Sequence, residues 1–369
     1  MLQQGLERLW ELGLELALPS NTLRTNLAAG LWHLGRWQEA EQVLDETLPR
    51  EVVARFAQAL LLLRARLHMA RGRWDLAQEQ AQAAVRMTEQ LIDPGPQSGL
   101  QMLLAELAIW QGDDAAARSA AAKALQYLTT DDRRFAIAVC RVGLRADADA
   151  AERAHDRGAD ASEVAEIHAT GQRLLNHARE SLAQLGGDNL GAQAYAAGCE
   201  AEFTRLQLRS DPNQWATLAA TWNAISEPYE AAYARWRQAE ALFATKAPGG
   251  AVILRQAYQM TVELGELPVR RELEGLAQRA RVDLHPLSPE PSTSNPRRMT
   301  NARGLTPREQ QVLEHLVEGR TNRQIARALF ISEKTASVHV SNIMSKLGAA
   351  NRSEAAAIAH RLRLLEPNA

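Results

Sequence analysis

The sequence has few of the residues that build strands, membrane spans or disulfide frameworks. Runs of β-branched residues are scarce among its 369 residues, whereas Ala, Leu, Arg, Gln and Glu abound, which predicts an almost wholly helical protein. It contains no run of about 18 apolar residues and no basic signal-peptide region at its start, so we expect neither a membrane span nor secretion. Cys140 and Cys199 are too few for a disulfide scaffold and should be buried apolar residues of a cytoplasmic protein.

The motifs that common catalytic and cofactor sites require are also missing. None of the four lysines follows the glycine-rich turn of a phosphate-binding loop. His168 and His177 lack the spacing of metal ligands on one helix. The carboxylates of Asp160, Glu163 and Glu166 are typical of a solvated helix face. We therefore predict no catalytic residue, no metal and no cofactor, and an enzyme is disfavoured.

Charge and composition divide the chain into three regions. From Arg297 onward there are 12 basic and 6 acidic residues, whereas the remainder has 30 basic and 38 acidic residues. A basic domain on an acidic body predicts that the C-terminal part meets a polyanion. His285–Gly304 contains four prolines and several small polar residues, which is typical of a linker. The predicted regions are a helical domain at 1–284, a linker at 285–304 and a small domain at 305–366.

A repeated motif marks the N-terminal region. GRWQEA at Gly35–Ala40 recurs as GRWDLA at Gly72–Ala77, and a looser GDDAAA begins at Gly112. Each glycine separates two amphipathic segments, and this period is typical of an α-solenoid resembling tetratricopeptide repeats. The motif weakens beyond Leu128, although Trp215–Ala244 keeps a helical pattern with recurring aromatic residues. We expect these aromatics to pack between helices; the alternative is a ligand or peptide groove on the concave face.

Four helices are predicted in the terminal domain from their start signals. Glu309 and Gln324 each follow a threonine by three residues, as in a capping box, and Pro307 suits a first helical position. About three residues separate the second helix from the third, as in a helix-turn-helix that places its second member in the DNA major groove. The predicted N-terminal caps are Thr306, Thr321, Ser332 and Ser353.

The third helix, within Ile331–Gly348, has two contrasting faces. Its apolar face consists of Ala336, Val340, Ile343 and Leu347. The opposite face has short, polar side chains and is nearly free of carboxylates, as expected for a helix that lies between phosphates. Lys334 and Lys346 flank that polar face.

The segment LTPREQQVLEHLVEGRTNRQIARALFISEKTASVHVSNIMSKLGAANRSEAA closely resembles the LuxR-type, or GerE-type, helix-turn-helix of bacterial transcription regulators, over roughly Leu305–Leu365. The resemblance implies that the third helix reads DNA and the fourth carries dimer contacts. Implied base contacts are Ser337, Val338 and Ser341. Implied phosphate contacts are Lys334, Thr335, His339, Lys346, Asn322 and Arg352. The dimer contacts are expected at Ala355, Ala356 and Ile358.

The whole sequence resembles the C-terminal part of the large ATP-binding LuxR-family regulators, on its GRW repeats, the segment Leu267–Leu284 and the linker. Their ATP-binding module has no counterpart here, which is compatible with a fragment, a split gene product or a short member. We predict an all-α transcription regulator that binds double-stranded DNA as a homodimer, with the solenoid as a regulatory or protein-interaction module. The alternative is a scaffold, or a small-molecule sensor using the aromatics of Trp215–Trp236.

Overall fold

The computed structural model describes residues 18–49, 52–88, 95–129, 132–186, 189–284, 307–328, 333–347 and 351–361, with Gln4 and Ala349. Two compact units divide the chain, Met1–Ser288 and Pro289–Ala369, and each is described by itself. All regular elements within the described ranges are α-helices, which confirms the all-α prediction. In this part of the chain no helix is long and apolar enough to cross a membrane.

Helices of the N-terminal unit pack as successive pairs. The helices are α1 Leu18–His33, α2 Trp37–Thr47, α3 Ala54–Ala70, α4 Trp74–Thr88, α5 Gly95–Gln111, α6 Asp114–Gln126, α7 Arg133–Asp156, α8 Ala161–Leu185, α9 Leu190–Leu206, α10 Pro212–Ala224, α11 Pro228–Ala244, α12 Gly250–Leu264 and α13 Pro268–Ala280. Within the pairs α3 packs on α4, α5 on α6 and α7 on α8, while α1, α3, α5 and α7 also pack on one another in order. This is the layering of a solenoid, in which each pair contacts its neighbours.

One type of turn recurs at the ends of these helices, with a residue of positive φ just after the helix. Gly35, Gly72 and Gly112 have φ of 71°, 67° and 75°, as the repeat motif predicted. The same conformation recurs at Leu208 and Ser226, with φ of 56° and 60°. Because residues with side chains replace glycine there, the motif disappears from the later sequence while the turn itself remains.

The beginning and the end of the N-terminal unit contact each other. The backbone amide of Leu267, before α13, donates to the carbonyl of Ala70 at 2.8 Å. Nη1 of Arg71 donates to the carbonyls of Leu264 and Gly265, at 3.1 and 3.2 Å. Residues almost 200 positions apart are thereby joined by hydrogen bonds, and the stacked helices close on themselves.

An aromatic cluster and an ion pair add to this closure. The ring centroids of Trp32 and Trp37 are 4.9 Å apart, and Tyr229 of α11 lies 5.7 and 5.9 Å from them. Nδ1 of His33 lies 2.8 Å from Oε1 of Glu227. Such aromatic pairs contribute about 0.5–1.5 kcal/mol each beyond their buried area. Tyr229 therefore serves the closure of the unit.

The tryptophans of α10 and α11 are core residues. Trp215, Trp222 and Trp236 are 0%, 1% and 4% exposed, which confirms the prediction that they pack between helices. A ligand groove built on these three side chains is excluded, because they are covered by the surrounding helices. Cys140 and Cys199 are fully buried, as expected, and burial raises the pKa of the Cys140 thiol to about 12.

Candidate nucleic-acid interface

The C-terminal unit contains the four helices that the sequence predicts. They are α14 Pro307–Val317, α15 Asn322–Ala328, α16 Glu333–Leu347 and α17 Arg352–Arg361. Gly319 follows α14 with a φ of 77°, a conformation that glycine adopts without steric cost because it has no Cβ. The third helix ends at Leu347, as predicted. Thr306 and Ser332, two of the predicted caps, lie outside the described residues.

The core of this unit holds α16 against α14 and α15. Leu313 and Leu316 of α14 and Ile325 of α15 are at most 1% exposed, and they form one cluster with Ala336 and Ile343 of α16. Val340 is buried as well and Leu347 packs at the edge, so the predicted apolar face of α16 is confirmed. This packing leaves the helix with one buried face and one available face.

A reciprocal cap begins α15. Gln324 Oε1 accepts a hydrogen bond from the backbone amide of Thr321 at 2.8 Å, and Thr321 Oγ1 accepts one from the amide of Gln324 at 3.3 Å. This is the predicted capping box, and its pairing satisfies two amides that the helix itself leaves free. The cap fixes where the first helix of the helix-turn-helix begins.

The structure describes some of the predicted DNA contacts and not others. Ser337 is exposed on α16, and His339 is half-buried. The side chains of Lys334, Thr335, Val338 and Ser341 lie outside the described part of the structure. The assignment of base and phosphate contacts on α16 stays a prediction, with Ser337 as its described exposed member.

Lys346, a predicted phosphate contact, is engaged within the unit. Its Nζ donates to Oε2 of Glu309 on α14 at 2.6 Å. The Glu309 side chain is 6% exposed and that of Lys346 33%, so the carboxylate is the buried partner. Sequence reasoning assigned Glu309 only to a capping box and did not foresee this ion pair, because its two residues are 37 positions apart.

Asn322 and Arg352, two further predicted phosphate contacts, contact each other. Nη1 of Arg352 donates to Oδ1 of Asn322 at 3.0 Å, and its Nη2 donates to the carbonyl of Arg320. These bonds tie the start of α17 to the start of α15. The two residues are brought together, and the structure adds a positioning role to the one predicted for them.

The predictions for the fourth helix need two corrections. Ala355 is fully buried in the unit's own core, so it cannot form a surface dimer contact and that prediction is wrong. Ala356 and Ile358 are half-buried and stay candidates for dimer contacts. The helix is capped by Asn351, whose Oδ1 accepts from the amide of Glu354 at 2.9 Å, and begins one residue before the predicted cap Ser353.

Two cations of α15 were missed in the sequence. Arg323 and Arg327 are exposed, and neither forms an ion pair with any residue that the structure describes. They are four residues apart and therefore lie on one helix face. This i, i+4 spacing was the available signal. Exposed guanidinium groups on the first helix of a helix-turn-helix are suited to phosphate binding.

Comparison with known proteins agrees with this geometry. The family model described as "Bacterial regulatory proteins, luxR family" matches residues 303–359. Spore germination protein GerE of Bacillus subtilis is 50% identical over 62 residues, which cover 84% of GerE and 17% of this chain. The uncharacterized transcriptional regulatory protein YhcZ of Bacillus subtilis is 50% identical over 60 residues, which cover 28% of YhcZ and 16% of this chain.

A third relative, the DNA-binding transcriptional activator DevR/DosR of Mycobacterium tuberculosis, is 44% identical over 64 residues. The chain spans less than a third of the length of YhcZ and of DevR/DosR. The C-terminal unit is thus a DNA-binding helix-turn-helix domain of the kind found in transcription regulators. The chain belongs to the luxR family of bacterial regulatory proteins.

Proposed function

We propose that the chain is a cytoplasmic transcription regulator that places α16 in the major groove of double-stranded DNA and acts there as a homodimer. The observation that carries this proposal is the division of α16 into a core face and a face on which Ser337 is exposed. A helix of this kind, positioned by a preceding short helix, is the reading element of helix-turn-helix proteins. The exposed Arg323 and Arg327 of α15 supply phosphate contacts beside it.

A dimer is proposed because one such domain makes a small interface. A single module buries roughly 600–1,000 Å² on DNA, which gives weak binding on its own. Of the α17 residues predicted for pairing, the half-buried Ala356 and Ile358 remain available. Two copies would read two half-sites. Mass measurement of the complex on a selected duplex should give two chains per site, and one chain per site contradicts the dimer.

The domain should discriminate only modestly between base sequences, whereas its phosphate contacts should position it firmly on the DNA. The three central positions of α16 are Ser337, Val338 and Ser341, and none is the Arg or Lys that makes the strongest base contacts. Val338 suits a thymine methyl group, and the serines suit several bases. DNA shape then supplies part of the specificity.

The DNA-binding proposal is tested with Ser337→Glu in the full chain. A carboxylate at this exposed position would face phosphates, so affinity for duplex DNA in a gel-shift assay should fall at least roughly tenfold. Ser162→Glu, an exposed serine of α8 in the N-terminal unit, makes the same change of charge and should bind as the unaltered protein does. Equal affinity of both variants would sink the assignment.

The N-terminal unit is proposed to regulate the DNA-binding domain by contacting another protein. Stacked helix pairs present extended surfaces, which solenoids commonly use for partners. Affinity purification with the full chain and with residues 305–369 tests this idea. A specific partner should be retained by the full chain alone. Recovery of the same proteins by both would contradict a regulatory role for the solenoid surface.

A further inference from the structure

The N-terminal unit contains a cavity lined by its inner helices, from α1, α3, α5 and α7 to α9 and the start of α11. The cavity has a volume of about 70 Å³ and shares His33, Arg66 and Tyr195 with a wider neighbouring pocket of about 460 Å³. A water needs about 10–15 Å³ of such space, so the inner cavity holds a group of several non-hydrogen atoms. It is large enough for a small ligand and too small for a peptide.

Arg145 of α7 lines this cavity and is a buried cation. The residue is 8% exposed, and its Cζ lies 4.4 Å from the ring centroid of Trp110 and 4.7 Å from that of Tyr233. Its guanidinium makes no hydrogen bond or ion pair with any residue in the described ranges, and its buried Nε has no partner there. A charge removed from water without a partner is costly, which makes this group a candidate ligand contact.

The acidic residues around the cavity already have polar partners. Glu230 accepts from Arg141 at 2.8 Å, and Glu106 accepts from Arg66 at 3.2 Å. Glu227 pairs with His33, across the closure of the unit. Arg145 is thus the cavity cation that these ion pairs leave over.

The nearest carboxylate on its own helix is also engaged. Asp149, one turn after Arg145, accepts from Arg205 at 2.6 Å and lies 3.4 Å from Nη2 of Arg237. Those two guanidinium groups, with a further contribution from the charge of Arg145, hold the pKa of Asp149 at about 2, against its burial. Asp149 is therefore committed to a neighbouring charge network, and Arg145 keeps its hydrogen-bond donors for the cavity.

We propose that this cavity binds a small organic monocarboxylate, whose carboxylate pairs with Arg145 and whose apolar part contacts Met102 and Ile109. Guanidinium groups bind carboxylates through paired N–H donors, and rings over the guanidinium leave its edge available. The proposal names a ligand for the N-terminal unit of the proposed regulator. Its test involves no DNA, so its failure and the failure of DNA binding are distinguishable.

Charge balance favours one negative charge over two. A monocarboxylate neutralises the single unpaired guanidinium of Arg145. A phosphate dianion would bring a second negative charge towards Glu106, Glu227 and Glu230, which line the same space. The apolar side chains Met102 and Ile109, 7% and 6% exposed, suit a short hydrocarbon chain. An amine or amide of the same length lacks the charge that Arg145 requires.

Ligand titrations of the full chain test the chemistry. Acetate, butyrate and hexanoate are the carboxylate probes, and butyramide, butylammonium and inorganic phosphate are the matched controls. Binding is followed by tryptophan fluorescence, because Trp110 lies over Arg145, and by the rise in Tm. At least one carboxylate should give a saturable change that the controls do not give at equal concentration and ionic strength.

Substitutions of Arg145 test its role in carboxylate binding. Arg145→Met should weaken carboxylate binding about 10- to 100-fold, as expected for a lost charge-assisted contact, while Arg145→Lys should retain part of it. Arg157→Met removes an exposed arginine that directly follows the same helix and should bind as the unaltered protein does. Circular dichroism establishes that each variant keeps its helicity.

Three outcomes overturn the proposal. The first is the absence of saturable binding for all three carboxylates to the unaltered chain, a result that no folding defect can explain. The second is unchanged affinity for butyrate in both variants, Arg145→Met and Arg145→Lys, when both are folded. The third is stronger binding of butylammonium or phosphate than of butyrate, which would assign the cavity to a different ligand chemistry.

Discussion

Nζ of Lys346 and Oε2 of Glu309 are 2.6 Å apart, so one charge-assisted hydrogen bond joins the proposed reading helix α16 to α14. The carboxylate is buried against the core that also positions α16. A cation predicted to contact phosphate therefore also carries a structural bond. Loss of this side chain affects both the stability of the domain and its electrostatic field, and the two effects can be separated.

Lys346→Met should destabilise the C-terminal unit by about 1–3 kcal/mol, because the buried Glu309 loses a charged partner. Urea denaturation followed by circular dichroism measures the change. Glu309→Gln and the double variant complete a double-mutant cycle. A coupling energy near zero would show that the pair contributes nothing to stability.

Arg323→Ala and Arg327→Ala should weaken binding to all DNA sequences alike and leave stability unchanged. Each removes one exposed cation, so the slope of log affinity against log salt should fall by about one unit. Arg209→Ala, an exposed arginine of the N-terminal unit, is the control and should leave the slope unaltered. A sequence-selective loss of affinity would instead assign base contacts to these arginines.

Gly35→Ala should cost more stability than Gly112→Ala, although both glycines have a positive φ. A Cβ at Gly35 would lie 2.6 Å from Cδ2 of Leu264 and 2.7 Å from Cγ of Pro228, whereas one at Gly112 would meet nothing within 4 Å. The backbone cost of roughly 1–2 kcal/mol applies to both, and overpacking adds about 1–3 kcal/mol at Gly35.

Urea denaturation of the two variants measures this difference. Because Leu264 is one of the colliding groups, adding Leu264→Ala to Gly35→Ala should recover part of the loss caused by overpacking. Equal destabilisation by Gly35→Ala and Gly112→Ala would mean that Leu264 and Pro228 make room for the added Cβ without loss of stability.

Glu266 should make the N-terminal unit more stable at acidic pH. Burial raises the pKa of its carboxyl from 4.5 to about 7, against the backbone amides of Val269 and Arg270 that hydrogen-bond to it. The folded state therefore binds the proton more tightly than the unfolded state. This contribution is complete below pH 4.5 and is lost as the pH rises through about 7.

The difference in unfolding free energy between the unaltered chain and Glu266→Gln isolates this residue from other titrating groups. Between pH 5 and pH 8 the unaltered chain should lose stability relative to the variant, by about 1.4 kcal/mol per unit at most. Glu263→Gln, three residues earlier and exposed, should give no such difference. Parallel pH profiles for the unaltered chain and Glu266→Gln would contradict a raised pKa at this site.

Helix positions in the C-terminal unit were predictable because their signals are local. The capping box at Thr321 and the apolar period of α16 involve residues within one or two turns, and both are present in the structure. The orientation of α17 was less accessible. Ala355 and Ala356 are chemically identical neighbours, and packing against α14 decides that Ala355 is buried and Ala356 half-buried.

The N-terminal unit shows the same limit at longer range. The GRW motif identified its first turns, but the later turns use Leu208 and Ser226, whose positive φ no sequence motif announces. Its closure joins Arg71 to Leu264, and neither residue has a local feature that identifies its partner. The sequence also suggested a small-molecule site using the aromatics of Trp215–Trp236. The tryptophans of that segment are core residues, whereas its Tyr229 lines the cavity beside Arg145.

The helical character of the chain and its LuxR-type helix-turn-helix could be read from the sequence, because caps, helical periods and a short turn act over a few residues. The pairing of Lys346 with Glu309, the closure of the solenoid and the exposure of Arg145 to a cavity, where it forms no ion pair with any described residue, follow from tertiary packing. These relationships depend on how residues up to nearly 200 positions apart pack together, and local sequence patterns do not identify such distant partners.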